Sequence, residues 1–208
     1  ATHLAEVIRR HAQELLSRER VVGLLNNLRP TAGNLVDEVM ARLKVGQVQK
    51  VLRALLGERV PIRDLEAILE ALCQAAETTG DPELMYEHVR GQLARTLSQQ
   101  YADQDGKLWC VCLDPHLEEL LHGHVSLTGR PGAAGVPPEF GRKFVQAVTQ
   151  AVAALRQHGR RPIVLCSPEV RPAVRQLVAP SMPEAAVLGY NEIDSVEVHS
   201  MESVGIES

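Results

Sequence analysis

The spacing of apolar residues divides this chain into a helical first half and a mixed second half. Leu4, Val7, Ile8, His11 and Leu15, then Val21, Leu24, Leu25 and Leu28, recur three and four apart, so helix is expected over 3–29, with Pro30 ending it. A short segment follows around 35–40. Val48, Val51, Leu52 and Leu55 share one face of an expected helix over 45–57, which Gly57 helps to stop. In the next helix, over 62–76, Ile62, Leu65, Ile68, Leu69 and Leu72 form the apolar stripe, and Pro61 suits the first turn. Arg63, Asp64, Glu66 and Glu70 fall on its opposite, solvent-ready face. Gly80 breaks that helix. Asp81, Pro82 and Glu83 then read as N-cap, first helical residue and first-turn acid of another, whose stripe is Met85, Val89, Leu93, Leu97 and Tyr101.

At Asp103-Gln104-Asp105-Gly106 the period changes from that of helices to that of strands alternating with helices. Lys107–Leu113 is apolar on both faces, as a central strand must be. Asp114-Pro115 should cap a helix through Leu121, and a Gly/Pro-rich loop is expected from Gly123 to Pro138. Phe144, Val148, Val152 and Leu155 mark a helix over 140–158. Strands are expected at 162–166 and 185–189, with a last one at 196–200, and Ser167-Pro168-Glu169 should cap a helix through Val178. The fold class is therefore α+β: a helical subdomain with a helix-turn-helix-like centre, followed by a small α/β sandwich. The expected division is 1–17 (the end of a preceding subdomain), 18–102 (helical) and 103–208 (α/β, with an acidic tail).

Composition narrows the function. A chain of 208 residues with 45% hydrophobic and 23% charged residues can bury a core, but aromatics at 3% leave it to Leu, Val, Ile and Ala. A net charge of −4 argues against a dedicated nucleic-acid binder. After Arg175 there is no Lys or Arg, while Glu184, Glu192, Asp194, Glu197, Glu202 and Glu207 accumulate, which reads as a solvated acidic tail. No apolar run is long enough to cross a bilayer. Ala1 leads straight into helical sequence, so the chain is expected to be a fragment.

Candidate chemistry is sparse. Cys110 and Cys112 with His116, His122 and His124 could suggest zinc, but the cysteines alternate with Trp109, Val111 and Leu113 in an apolar strand and lack ligand spacing. With Cys73 and Cys166 they read as reduced, buried thiols, and no metal or cofactor is expected. The glycine-rich loop lacks the Lys-Ser/Thr ending of a phosphate loop, so no nucleotide hydrolysis is expected. The paired helices around Gly57–Pro61 could form a DNA-binding helix-turn-helix, but Asp64, Glu66 and Glu70 against Arg63 would repel a phosphate backbone.

The wording of several segments adds to their periodicity. VLRALLGERVPIRDLEAILEAL, the ending at Arg90, the ATHLAEVIRRHAQELL opening, LDPHLEELL and VLGYNEI together resemble the flagellar and type III secretion export-gate family. ATHL and ELLSRERVVGLL resemble its flagellar branch, the virulence branch being the alternative, and a nucleic-acid-binding regulator a more distant one. Gly189 departs from the Ser that often precedes Tyr-Asn-Glu-Ile in the family.

This resemblance implies a non-enzymatic docking platform. The intact protein would sit in the bacterial inner membrane, with this fragment from its cytoplasmic part. Partners would be export chaperone–substrate complexes, the export ATPase stalk and other gate subunits in a nine-fold ring, with no nucleic acid. Thr2, in the ATHL motif, would border the chaperone-binding depression. Arg63, Asp64 and Arg90, read as charges lying off the apolar stripes, are the candidates for a ring contact, a local ion pair being the alternative.

Overall fold

The computed structural model describes residues 12–127 and 132–206. Thr2 lies outside them. The chain divides into two compact units, 1–93 and 94–208.

The first unit is helical. Its helices are α1 (Arg18–Arg42), α2 (Val45–Gly57), α3 (Leu65–Thr78) and α4 (Pro82–Gln92). They pack pairwise, α1 on α2 and α3, and α4 on α2 and α3. Their stripes supply a core of Val21, Leu25, Val36, Val48, Val51, Leu52, Leu55, Ile68, Leu69, Leu72, Met85 and Val89. The expected helix over 3–29 is instead interrupted at Leu16-Ser17, because the Ser17 side chain accepts from the Arg20 N–H and starts a new helix. Pro30 does not end α1. The break comes two residues later, at Ala32 (φ −135°, ψ 45°), and the segment expected around 35–40 continues the same helix to Arg42.

Two further boundaries moved for local reasons. Gly57 closes α2, but the left-handed residue after it is Arg59 (φ 60°). Arg59 N–H donates to Leu56 O, and Val60 N–H to Leu55 O at 2.8 Å, which closes the last turn with buried Val60 alongside Leu55. Helix α3 starts at Leu65, not Ile62, since Asp64 caps it by accepting from Ala67 N–H at 3.2 Å. Pro61 therefore lies in the connection. Asp81 caps α4 as expected, accepting from Glu83 N–H at 2.9 Å.

The expected continuous stripe from Met85 to Tyr101 is broken at Leu93. Helix α5 (Ala94–Tyr101) belongs to the second unit, so the division falls at 93/94, ahead of the change in period at 102/103. Strands β1 (Lys107–Leu113), β2 (Ile163–Cys166), β3 (Ala186–Gly189) and β4 (Glu197–Val204) form one parallel sheet in the order β3-β2-β1-β4. Helices α6 (Pro115–Ser126), α7 (Pro138–Gln157) and α8 (Arg171–Val178) connect them, with a 3-10 turn at Tyr190–Glu192. Central β1 is buried on both sides, which is why its sequence does not alternate.

One face of the sheet offers Val111, Leu113, Val164, Cys166 and Val187, in one apolar cluster with Leu117, Phe144, Val148, Val152 and Val174 of the three helices. The other face offers Leu108, Cys110, Ile163, Leu165 and Leu188, against which Tyr101, Ile193 and Val196 pack. Ser98 of α5 is fully buried; its hydroxyl donates to Glu192 O at 3.0 Å and accepts from Asp194 N–H at 2.8 Å.

Three expectations in this unit are corrected. Gly123 is helical, because α6 runs on to Ser126 and shortens the loop. Ser167-Pro168-Glu169 forms a turn rather than a cap, and Pro172 occupies the first turn of α8. The acidic stretch is solvated at Glu184, Asp194, Glu197 and Glu202 but is not a tail: Glu192 is buried, with its carboxylate accepting from Gly189 N–H, and the strand expected at 196–200 runs over Glu197–Val204 in the sheet.

Candidate functional site

Of the residues singled out in the sequence, Arg63 and Asp64 are exposed, but they precede α3 and do not ride on its outer face. Asp64 has a structural use as the cap. Arg90 is 1% exposed and lies inside the helical unit, so it is not an outward-facing charge, and it takes the local ion pair that was the alternative to a ring contact. Its guanidinium donates to Glu58 Oε2 at 3.1 Å and to the Tyr86 hydroxyl at 3.1 Å, with the Tyr86 ring 5.6 Å away. Stripe counting assigned it to the surface because it follows Val89 by one position. Burial of a guanidinium requires a counter-charge, and Glu58, at the end of α2, provides it from 32 residues away.

The outer face of α3 carries Glu66, Glu70 and Glu77 and no Lys or Arg. Of these, Glu77 pairs with Arg42 of α1 at 2.8 Å. This face is unsuited to a phosphate backbone.

The sheet unit holds a polar node that the sequence did not disclose. In the Asp103–Gly106 turn, where Gly106 takes φ 74°, Asp103 accepts from the N–H groups of Asp105 and Lys107, each at 3.0 Å. Its second oxygen accepts from Trp109 Nε1 and Arg160, each at 2.9 Å. The Lys107 backbone bond first, then the Trp109 bond, holds the Asp103 carboxyl down to about 2. Arg160 lies 4.5 Å over the Trp109 ring, which stacks in turn on His199 at 4.7 Å. An open cleft of about 260 Å³ is lined by Tyr101, Asp103, Trp109, Arg160, Arg161 and Ile163. A second, more apolar groove of about 400 Å³ runs along Val136, Pro137, Pro138, Val145 and Leu177.

Cys110 and Cys112 stand side by side on β1 with sulfurs 4.0 Å apart. The hydrogen bond with Cys110, outweighing the effect of burial, lowers the Cys112 thiol to about 6. The same Cys110 bond and burial push Cys110 upward, and burial followed by the charge of Cys112 raises Tyr190. All four cysteines are free. Among the described residues, no three His, Cys, Asp or Glu side chains gather as a metal site, and no helix is long and apolar enough to cross a membrane.

Comparison places the chain among known proteins. The FHIPEP family profile matches residues 1–197. The chain belongs to the FHIPEP family. Flagellar biosynthesis protein FlhA of Bacillus subtilis (strain 168) is 35% identical over 208 residues, an alignment covering 99% of this chain and 31% of that protein. The chain thus spans about a third of the length of such FHIPEP relatives. The solved Chlamydia pneumoniae CdsV protein superimposes with a TM-score of 0.90 at 25% identity, over 99% of this chain and 59% of that one. CdsV has also been solved in a complex with CdsO (TM-score 0.81, 25% identity, 98% and 60% coverage). The nonameric EPEC SctV-C shares the fold at a TM-score of 0.82 and 21% identity, over 97% of this chain and 61% of that one. The expected α+β fold, a helical unit followed by a small α/β unit, is the fold of these structures.

Proposed function

We propose that this chain is the docking portion of a flagellar protein-export gate, acting through its surfaces rather than by catalysis. The observation that carries this reading is the FHIPEP match along residues 1–197, combined with 35% identity to a flagellar protein over essentially the whole chain. Its partners are other gate subunits in a ring, the stalk of the export ATPase complex and chaperone–substrate complexes. The nonameric assembly of SctV-C and the CdsV–CdsO complex support the ring and a docked partner in relatives of the same fold. The intact protein carries a membrane-embedded portion, and this chain faces the cytoplasm. Exposed Arg63 and Asp64 remain the candidates for the subunit contact, while Arg90 acts from inside, fixing the helices that present them. Thr2 keeps its proposed place at the chaperone depression.

In-frame removal of this segment from the full-length gene should abolish secretion of flagellar substrates while leaving the membrane portion inserted. Normal secretion by such a strain would overturn the reading. Arg63→Glu in the full-length protein separates the finer claim. It should lower secretion and weaken subunit cross-linking without changing the melting temperature, and unchanged cross-linking would remove Arg63 from the ring contact.

A further inference from the structure

Two guanidiniums and one carboxylate line the open cleft of the sheet unit, and their charges do not cancel. Asp103 is already served by four donors: the N–H groups of Asp105 and Lys107, Trp109 Nε1 and Arg160 Nη1. Its single charge is matched by Arg160, and its lone pairs are spent. Arg161 is left over. It is exposed, donates from Nη1 to Gln100 O at 2.8 Å, and forms no ion pair among the described residues. A tight turn fixes both arginines. Gly159, at φ 66°, closes α7, with its N–H donating to Arg156 O and that of Arg160 to Leu155 O, each at 2.9 Å. The Arg160 guanidinium is held further by Asp103, 2.9 Å away, and by the Trp109 ring, 4.5 Å away.

Shape and chemistry narrow the occupant. At about 260 Å³ and open to solvent, the cleft is smaller than the ~300–1,000 Å³ that encloses a small molecule. It suits one or two side chains of a peptide lying across it. Arg160 and His199 already lie against the Trp109 ring, so the indole is not a free platform for a nucleobase. The N–H groups of Gly159 and Arg160 are spent inside the turn and do not form a nest for phosphate. What remains on offer is a guanidinium fork beside the half-buried surface of Tyr101 and Ala102. We propose that this cleft docks an acidic peptide segment of a partner protein, Arg161 taking a partner carboxylate as a bidentate pair. An apolar side chain next to that carboxylate rests against Tyr101 and Ala102. Arg160 acts indirectly, neutralising Asp103 so that the incoming acid is not repelled. This rests on the docking function proposed above. The deletion strain tests that function through secretion, whereas the assay below reads peptide affinity alone.

The test uses the whole 208-residue chain. The probe is a blocked, rhodamine-labelled octapeptide of alternating Glu and Leu, with a Gln-for-Glu peptide as the neutral control. Anisotropy of the label reads affinity. Emission from Trp109, the chain's one tryptophan and part of the cleft wall, reads location. The acidic peptide should bind at least about tenfold tighter than the control, the scale of one charge-assisted hydrogen bond, and should shift Trp109 emission. Raising salt from about 50 mM to about 500 mM should remove most of that preference. Arg161→Glu should abolish the preference while leaving the melting temperature unchanged, because the side chain is exposed. Arg161→Lys, which keeps the charge without the fork, should retain part of it. Equal affinity for the two peptides, an unaltered preference in Arg161→Glu, or displacement of the peptide by equimolar inorganic phosphate would each overturn the proposal.

Discussion

In the helical unit the buried polar node is ionic and is built from side chains: Arg90 of α4 reaches Glu58 beyond α2 and Tyr86 one turn back. In the sheet unit the buried polar groups lean on main chain: Ser98 of α5 accepts from one backbone N–H and donates to one backbone carbonyl of the 192–194 segment, buried Arg171 donates to Val187 O, and buried Glu192 accepts from Gly189 N–H. The difference follows from where each unit has spare backbone hydrogen-bonding groups. A helix satisfies its own interior, so a buried guanidinium there must find a carboxylate or hydroxyl on another side chain. The segment joining β3 to β4 leaves regular structure and buries backbone groups that no ladder serves, and a serine hydroxyl, donor and acceptor at once, suits them. Tying helices together by side chains is the more fragile arrangement, because losing one partner strands a charge.

The largest expected effect tests that fragility. Arg90→Met keeps much of the volume but removes the buried ion pair with Glu58, and should destabilise by about 3–5 kcal/mol in chemical denaturation. A loss under about 1 kcal/mol would show that water or another cation takes over. Ser98→Ala should cost less, about 1–3 kcal/mol, since it leaves a neutral N–H and C=O unpaired. If the two variants prove equal, the contrast between ionic and main-chain nodes does not hold.

Smaller still is Asp64→Ala at the start of α3, expected to cost about 1 kcal/mol through the lost cap. Its thermal melt should shift by a few degrees, where an uninvolved surface charge would shift nothing. The least effect belongs to Asp103, which is partly exposed. Its carboxyl is held at about 2 against an ordinary 3.8, so the stabilisation it gives is complete above about pH 4 and is lost as pH falls toward 2. Asp103→Asn should flatten the acid limb of the stability–pH profile in that window and leave its shape at neutral pH unaltered. An unchanged acid limb would mean that the turn, and not the charge, organises this corner.

The sequence disclosed elements wherever a single period ran undisturbed. Helix α2, the Asp81-Pro82 start of α4, central β1 and helix α7 were all legible, because stripe spacing and caps act over a few residues. Helix ends read less well: Pro30 and Pro61 are strong local signals, yet α1 runs through the first and α3 starts beyond the second. Family wording, too, was carried by sequence alone, and it was enough to reach the FHIPEP assignment. Arg90 could not be placed, as its burial depends on Glu58, a partner 32 residues away. The thiol pair was visible as Cys110-x-Cys112, two sulfurs on one strand face.

Sequence by itself determined which segments are helix or strand, which of their faces are apolar, and the family, because these depend on neighbours within one or two turns. Tertiary structure alone decided that the last strand pairs beside β1, that α5 joins the sheet unit, and that Arg90 is interior. Each of these requires a partner far along the chain, and the desolvation of a charge or the completion of a strand ladder is determined only when that partner arrives.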